Sequence, residues 1–193
     1  MTGLEEFYEI LKDPAAYGRK LKSEGRRKVV GYFCSYTPEE VIYAAGTHPF
    51  RLFGMGDTLH LADVHFQAYC CSLVRGALEG ALAGRLEFLD GAVFPHTCDS
   101  IQRLSDIWRM NVKGPFHIDV VLPVKLDTES AKAYMSDVLH KFMRDLESRL
   151  NVRIGKEAMQ DAMGVFNRIR GYLGRLYEIK SAYPGSISGS DLH

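Results

Sequence analysis

Four short, apolar, β-rich runs set apart by stretches of helical periodicity constrain this chain more than any other feature. They are "KVVGYFC" (28–34), "HPFRLFG" (48–54), "LDGAVFPHT" (89–97) and "HIDVVLPV" (117–124). Runs this short and this uniformly apolar belong to strands covered on both faces. The stretches between them read as helices. In "YTPEEVIYAAG" (36–46), Thr37 is the expected cap, Pro38 suits the first helical position, Glu39 and Glu40 suit the first turn, and Gly46 is a natural stop. Residues 63–84 read as one long helix with Cys70 and Cys71 inside it, and Ile101, Leu104 and Trp108 are spaced as one face of a helix. The alternation predicts an α/β fold, a parallel sheet of about four strands with helices on both faces.

The flanks are helical. Residues 4–24 read as helix with a break near Asp13-Pro14. From Asp127 the strands stop. Ala131, Tyr134/Met135, Val138/Leu139, Phe142, Leu146 and Leu150 mark one amphipathic helix, and Met159, Ala162/Met163, Phe166, Ile169, Leu173, Leu176 and Ile179 mark another. These two are expected to pack on each other and on the sheet, with their methionines as core filler. The expected organisation is an N-terminal helical segment (1–27), the α/β domain (28–126), the long helical pair (127–183) and a linker (184–193). The ending, "YPGSISGSDLH", is a Pro/Gly/Ser stretch followed by Ser190-Asp191, a helix-start signal. It reads either as a passage into a longer polypeptide or as a disordered tail.

Composition excludes several classes. Lys plus Arg equals Asp plus Glu at 24 each, so there is no overall positive field to attract nucleic acid or an anionic membrane. No apolar run approaches the roughly 18 residues that cross a bilayer. The opening "MTGLEEFYEILKDP" is acidic and helical, unlike a secretory signal. The expected location is the cytoplasm, where the four cysteines would be thiols or metal ligands rather than disulfides.

Ligands of parallel sheets bind beyond the carboxyl ends of the strands. Cys34 and Cys98 lie at such ends, and Cys70 and Cys71 lie near a helix start. Helix N-termini favour thiolates, and thiolates ligate iron–sulfur clusters. No CxxC occurs, so spacing alone is weak evidence for a metal. On the residues alone, Cys70, Cys71 and Cys98 read first as small packed hydrophobes, and Cys34 is open between packing and chemistry. His48 and His96 stand beside prolines at strand ends, as proton donors or as hydrogen-bonded loop histidines. Ser35, Tyr36 and Glu39 share one strand–helix turn with Cys34, where an anion or a carbonyl would fit; Glu39 and Glu40 read also as simple first-turn carboxylates. Arg75, one helical turn after Cys71, is either a counter-charge to a ligand or a surface arginine. Neither GxxxxGK[ST] nor GxGxxG occurs, so no phosphate loop for ATP or a dinucleotide is expected.

Taken as a set, "VVGYFCSYTPEEVIYAAGTHPFRLFG", "CSLVRGALEGAL" and "LDGAVFPHTCDSIQRLSDIW" resemble, in order and spacing, the amino-terminal half of the 2-hydroxyacyl-CoA dehydratase and benzoyl-CoA reductase subunit family. The resemblance extends through the helical pair to "ISGSDL". It implies a Rossmann-like domain, the first of two, with a [4Fe-4S] cluster between them. Two cluster cysteines match Cys71 and Cys98, and a third ligand lies in a second domain that this chain lacks. Also implied are an acyl-CoA substrate, a second homologous subunit forming a heterodimer, and an ATP-dependent iron–sulfur activator protein. That activator delivers one electron at low potential and makes a ketyl radical of the thioester. On this reading Ser35, Glu39 and Arg75 are candidates for substrate binding, and His48 and Glu39 for catalysis. The chain alone is expected to be inactive, because one ligand and half of the crevice are absent. Two alternatives stay open: a cluster-free paralogue serving as scaffold or interaction domain, and an activator-coupled reductase of another small molecule with a larger, double-cubane-type cluster.

Overall fold

A computed structural model describes residues 3–25, 27–54 and 58–192. Helices α1 (Gly3–Lys12) and α2 (Pro14–Gly25) come first, separated at Asp13 as expected from Asp13-Pro14. Strands β1 (Val29–Tyr32), β2 (His48–Arg51), β3 (Gly91–Pro95) and β4 (Phe116–Val120) form one parallel sheet in the order β2-β1-β3-β4. Helix α3 (Glu39–Ala44) joins β1 to β2, α4 (Ser72–Leu82) precedes β3, and α5 (Asp99–Asn111) joins β3 to β4. Two long helices, α6 (Glu129–Leu150) and α7 (Lys156–Ala182), and a single turn, α8 (Gly189–Leu192), complete the chain. The expected α/β architecture with helices on both faces is what the structure has.

The pleat explains the layers. Along β1, Val29 points to one core and Val30 and Tyr32 to the other; along β3, Ala92 and Phe94 separate from Val93 in the same way. One core gathers α2, α4 and α5 around Val74, Leu78, Ile101, Leu104 and Trp108. The second gathers α3, α6 and α7 around Val41, Ile42, Phe142, Leu146 and Ala162. The strand order reverses direction between β1 and β3. That reversal is the switch point beside which α/β sheets open a crevice at their carboxyl ends.

Local chemistry sets the helix ends. Thr128 Oγ1 accepts the Ala131 N–H at the start of α6, and Asn151 closes that helix in the left-handed conformation at φ 55°. Gly46, at φ 75°, stops α3 as anticipated. Two expectations need correction. Thr37 does not cap α3; it is buried and its hydroxyl donates to the Phe33 carbonyl at 2.7 Å, while Pro38 takes the cap position. Residues 63–84 are not one helix: a 3₁₀ turn at Ala62–Val64 and a loop precede α4, which starts only at Ser72.

The two long helices, expected to pack on each other and on the sheet, divide instead: α6 packs on β4 and α7 on α3. Past Phe166 the face of α7 with Ile169, Leu173, Leu176 and Ile179 is exposed, as is Met163. No helix of the described residues is long and apolar enough to cross a membrane.

Candidate functional site

At the carboxyl edge, Cys34 follows β1, half-buried and in the left-handed region at φ 58°. Cys98 follows β3 as the N-cap of α5, and Cys71 is the N-cap of α4. Both N-cap thiols are exposed, and neither makes a side-chain capping bond. The reading of Cys71 and Cys98 as packed thiols is thereby overturned: the helices α4 and α5, which pack side by side, present both from their N-termini. Cys70 is the packed one, 4% exposed in the core with Val74 and Ile101. Adjacent cysteines thus face opposite ways. One anchors the loop and the other stands in solvent.

The segment before Cys71 is held from behind by α4. Ala62, Phe66 and Cys70 are buried at intervals of four, a spacing that mimics a helix in the sequence. The Glu79 carboxylate, 5% exposed, accepts three backbone N–H groups through Oε2: His60 at 3.0 Å, Leu61 at 2.8 Å and Ala62 at 2.8 Å. Burial alone would raise its pKa, but these three donors hold the carboxyl below its usual range. Arg75 binds Asp63 Oδ1 through Nη2 at 2.5 Å and Nε at 3.1 Å. Arg75, open in the sequence between a ligand's counter-charge and a surface arginine, pairs with Asp63 of this loop.

Beside α5 lies a network that the sequence reading missed. Asp119 Oδ1 is 2.5 Å from Ser105 Oγ and 2.9 Å from His96 Nε2, and Ser105 Oγ is 2.7 Å from His117 Nε2. One proton assignment satisfies all three contacts: His117 Nε2–H donates to Ser105, while Ser105 O–H and His96 Nε2–H donate to Asp119. His117 also stacks on Phe94, with ring centroids 4.8 Å apart. Burial lowers the pKa of His117. For Asp119 burial opposes ionisation, but the Ser105 and His96 donors win and lower its pKa. The available signal was His117-x-Asp119, two polar residues in register on one face of an otherwise apolar strand.

The other sequence candidates divide. Ser35 is exposed beside Cys34. Glu39 opens α3 and accepts a hydrogen bond from the Tyr32 hydroxyl; burial, then that carboxylate, hold the phenol well above its usual pKa. Both stand at the carboxyl edge. His48 does not. It is the first residue of β2, paired with Val29 at the start of β1, so it lies at the opposite end of the sheet from the thiols. There its ring meets Tyr17 edge-on at 6.3 Å, and burial, then Arg27, lower its pKa.

Large apolar side chains ring the thiol edge. Tyr36, Phe53, Tyr69, Val121 and Val124 are all exposed, on loops that leave the strands there or enter α4. A cleft of about 400 Å³ beside β4, lined by His117, Asp119, Lys141 and Arg149 among others, holds neither thiol. Among the described residues, no three His, Cys, Asp or Glu side chains are arranged to hold a metal ion. Two exposed thiols on neighbouring helix ends fit part of a cluster's ligand set, since such clusters take cysteine thiolates.

Comparison with known proteins agrees in extent with this architecture. The sequence profile of the family described as "2-hydroxyglutaryl-CoA dehydratase, D-component" matches residues 34–193. The chain is 30% identical over 191 residues to a benzoyl-CoA reductase subunit from Thauera aromatica, covering 98% of this chain and 49% of that protein. It is 27% identical over 183 residues to the (R)-phenyllactyl-CoA dehydratase beta subunit of Clostridium sporogenes, covering 95% and 49%. With the (R)-2-hydroxyglutaryl-CoA dehydratase beta subunit of Acidaminococcus fermentans it shares 27% over 192 residues, covering 97% and 50%. The chain thus spans about half the length of the curated relatives it matches. The profile match over residues 34–193, together with the α/β sheet, means that this chain belongs to the 2-hydroxyglutaryl-CoA dehydratase D-component family.

Proposed function

We propose that this chain is the amino-terminal portion of an iron–sulfur subunit in a 2-hydroxyacyl-CoA dehydratase or benzoyl-CoA reductase-type enzyme, a cytoplasmic enzyme acting on an acyl-CoA thioester. The observation that carries the reading is the pair Cys71 and Cys98, both exposed and without a capping bond at the N-termini of two helices that pack on each other. In this proposal the two thiolates hold one side of a [4Fe-4S] cluster, and its remaining ligation comes from the rest of the full-length subunit. When bound, such a cluster supplies one-electron chemistry and a Lewis-acidic iron. The apolar ring of Tyr36, Phe53, Tyr69, Val121 and Val124 is the surface that a covering domain removes from water. Covering it would dry the site and strengthen each electrostatic contact inside.

Ser35 and Glu39, on the strand–helix turn after Cys34, are the proposed hydrogen-bonding partners of the substrate. His48, at the far end of the sheet, and Arg75, held by Asp63, receive no role in it. The α/β unit at 28–126 and the helical pair at 127–183 are read as one platform for this site. A homologous second subunit and an ATP-dependent activator that injects the electron complete the proposed system. The chain alone is expected to be inactive.

The test is anaerobic reconstitution with iron and sulfide of the full-length subunit and of this chain. Cys71→Ala and Cys98→Ala serve as variants, followed by visible absorbance, iron content and electron paramagnetic resonance. The expected result is a cluster in the full-length subunit that either substitution abolishes. Failure to take up iron, or loading indifferent to both substitutions, overturns the ligand assignment and leaves the scaffold reading.

A further inference from the structure

We propose that Glu79 is a positioning residue for Cys71. It fixes the 60–70 segment from below, so that the Cys71 thiol stands outward beside that of Cys98. The inference rests on the reading of Cys71 as a cluster ligand and extends it to a residue two helical turns away.

The geometry is specific. A single carboxylate oxygen gathers three consecutive amides, from His60, Leu61 and Ala62, at 2.8–3.0 Å. A carboxylate 5% exposed inside a core stays ionised only when donors replace its water, and these amides do so. From that point the chain is pinned by Ala62, Phe66 and Cys70 in the core, and by the Arg75–Asp63 pair at the rim. The next residue is Cys71. Gln67 Oε1, within the same segment, accepts from Arg103 Nη1 of α5 at 3.5 Å, linking the segment to the helix that Cys98 begins. An ordinary surface loop makes no such use of a buried charge. Here the charge orders the stretch that decides which cysteine is packed and which is presented.

The test compares the wild-type chain with Glu79→Gln, which keeps the shape but removes the charge, and with Asp63→Asn, which loosens only the rim tether and spares the fold if the first variant fails. Leu146→Ala, in the other core, controls for general loss of stability. Three readouts are taken. They are amide hydrogen exchange over 60–62, the ratio of iodoacetamide alkylation rates at Cys71 and Cys98 by peptide mass spectrometry, and the resonance spectrum of the reconstituted full-length protein with the same substitution. Replacing an ionised acceptor by a neutral amide oxygen weakens these bonds and should accelerate exchange at 60–62 by about tenfold. The Cys71:Cys98 ratio should shift by a factor of about three or more, with Asp63→Asn moving it in the same direction by less and Leu146→Ala leaving it alone. The reconstituted full-length Glu79→Gln protein should show an altered cluster spectrum. Faster exchange with an unchanged ratio would overturn the positioning role and leave Glu79 a loop brace. An equal shift in Leu146→Ala would overturn it too. If the ratio shifts but no protein takes up iron, positioning by Glu79 stands and the ligand reading of Cys71 falls.

Discussion

Ser105→Ala should destabilise the chain through Asp119, and by an amount that can be worked out. The Ser105 side chain is almost wholly buried and its hydroxyl sits 2.5 Å from Asp119 Oδ1. A hydrogen bond to an ionised acceptor contributes about 1.5–3 kcal/mol. The Asp119 side chain is 38% exposed and keeps its His96 donor, so water can replace part of what is lost. The expected cost is therefore about 1–2 kcal/mol at pH 7.5, at the lower end of that range. For a chain of 193 residues this lowers Tm by about 2–8 °C. The pH dependence follows in sign. The carboxyl of Asp119 is depressed below its usual 3.8, so its contribution is complete above that value and is lost as pH falls through the folded-state pKa. The cost of Ser105→Ala should hold steady from pH 7.5 to about 5 and shrink in more acid solution. Urea melts of Ser105→Ala, Asp119→Asn and the double variant give the coupling directly. If Ser105→Ala costs as much in the Asp119→Asn background as in the wild type, the hydroxyl is not coupled to the Asp119 charge and the cost does not belong to that bond.

Other perturbations separate cleanly. Gly18→Ala gains roughly 1 kcal/mol of helix propensity, yet a Cβ there would lie 2.3 Å from Phe88 Cε2, and Phe88 is itself wedged on Phe50. A net loss of about 1–3 kcal/mol is expected in urea melts. Gly174→Ala, with nothing within 4 Å, should instead stabilise α7 by about 0.5–1 kcal/mol. Leu146→Ala should cost about 2–5 kcal/mol, because the side chain is fully buried between α6 and the sheet. His48 and His117 both titrate below their usual 6.5, so the stability each contributes is complete above that pH and declines below it. His48→Gln should flatten the fall in Tm seen on acidifying from pH 6.5 to 5.

The strands were legible because burial on both faces leaves an unbroken apolar signature, as in "KVVGYFC" and "GAVFP". The place of Cys98 at the carboxyl edge was legible because it follows such a run, but its exposure was not. The loop before α4 was not. Ala62, Phe66 and Cys70 repeat at helical spacing, and what breaks the helix is the reach of Glu79 and Arg75 back to residues more than ten positions earlier. Local pattern carries no such information. Thr37 misled for the same kind of reason: its hydroxyl found a buried carbonyl, and tertiary burial outweighed capping propensity. His48 was placeable in principle. A residue that opens a parallel strand lies at the amino end, away from the crevice, and "HPFRLFG" opens with it.

The sheet is also a partition. Every helix whose N-terminus presents an exposed thiol packs on one of its faces, whereas α3, α6 and α7 pack on the other. Between the second layer and the thiols stand the strands, whose backbones are paired in their ladders. The two layers therefore respond separately to a substitution in either core. A substitution confined to the α3, α6 and α7 side should leave Cys71 and Cys98 exposed at the starts of α4 and α5.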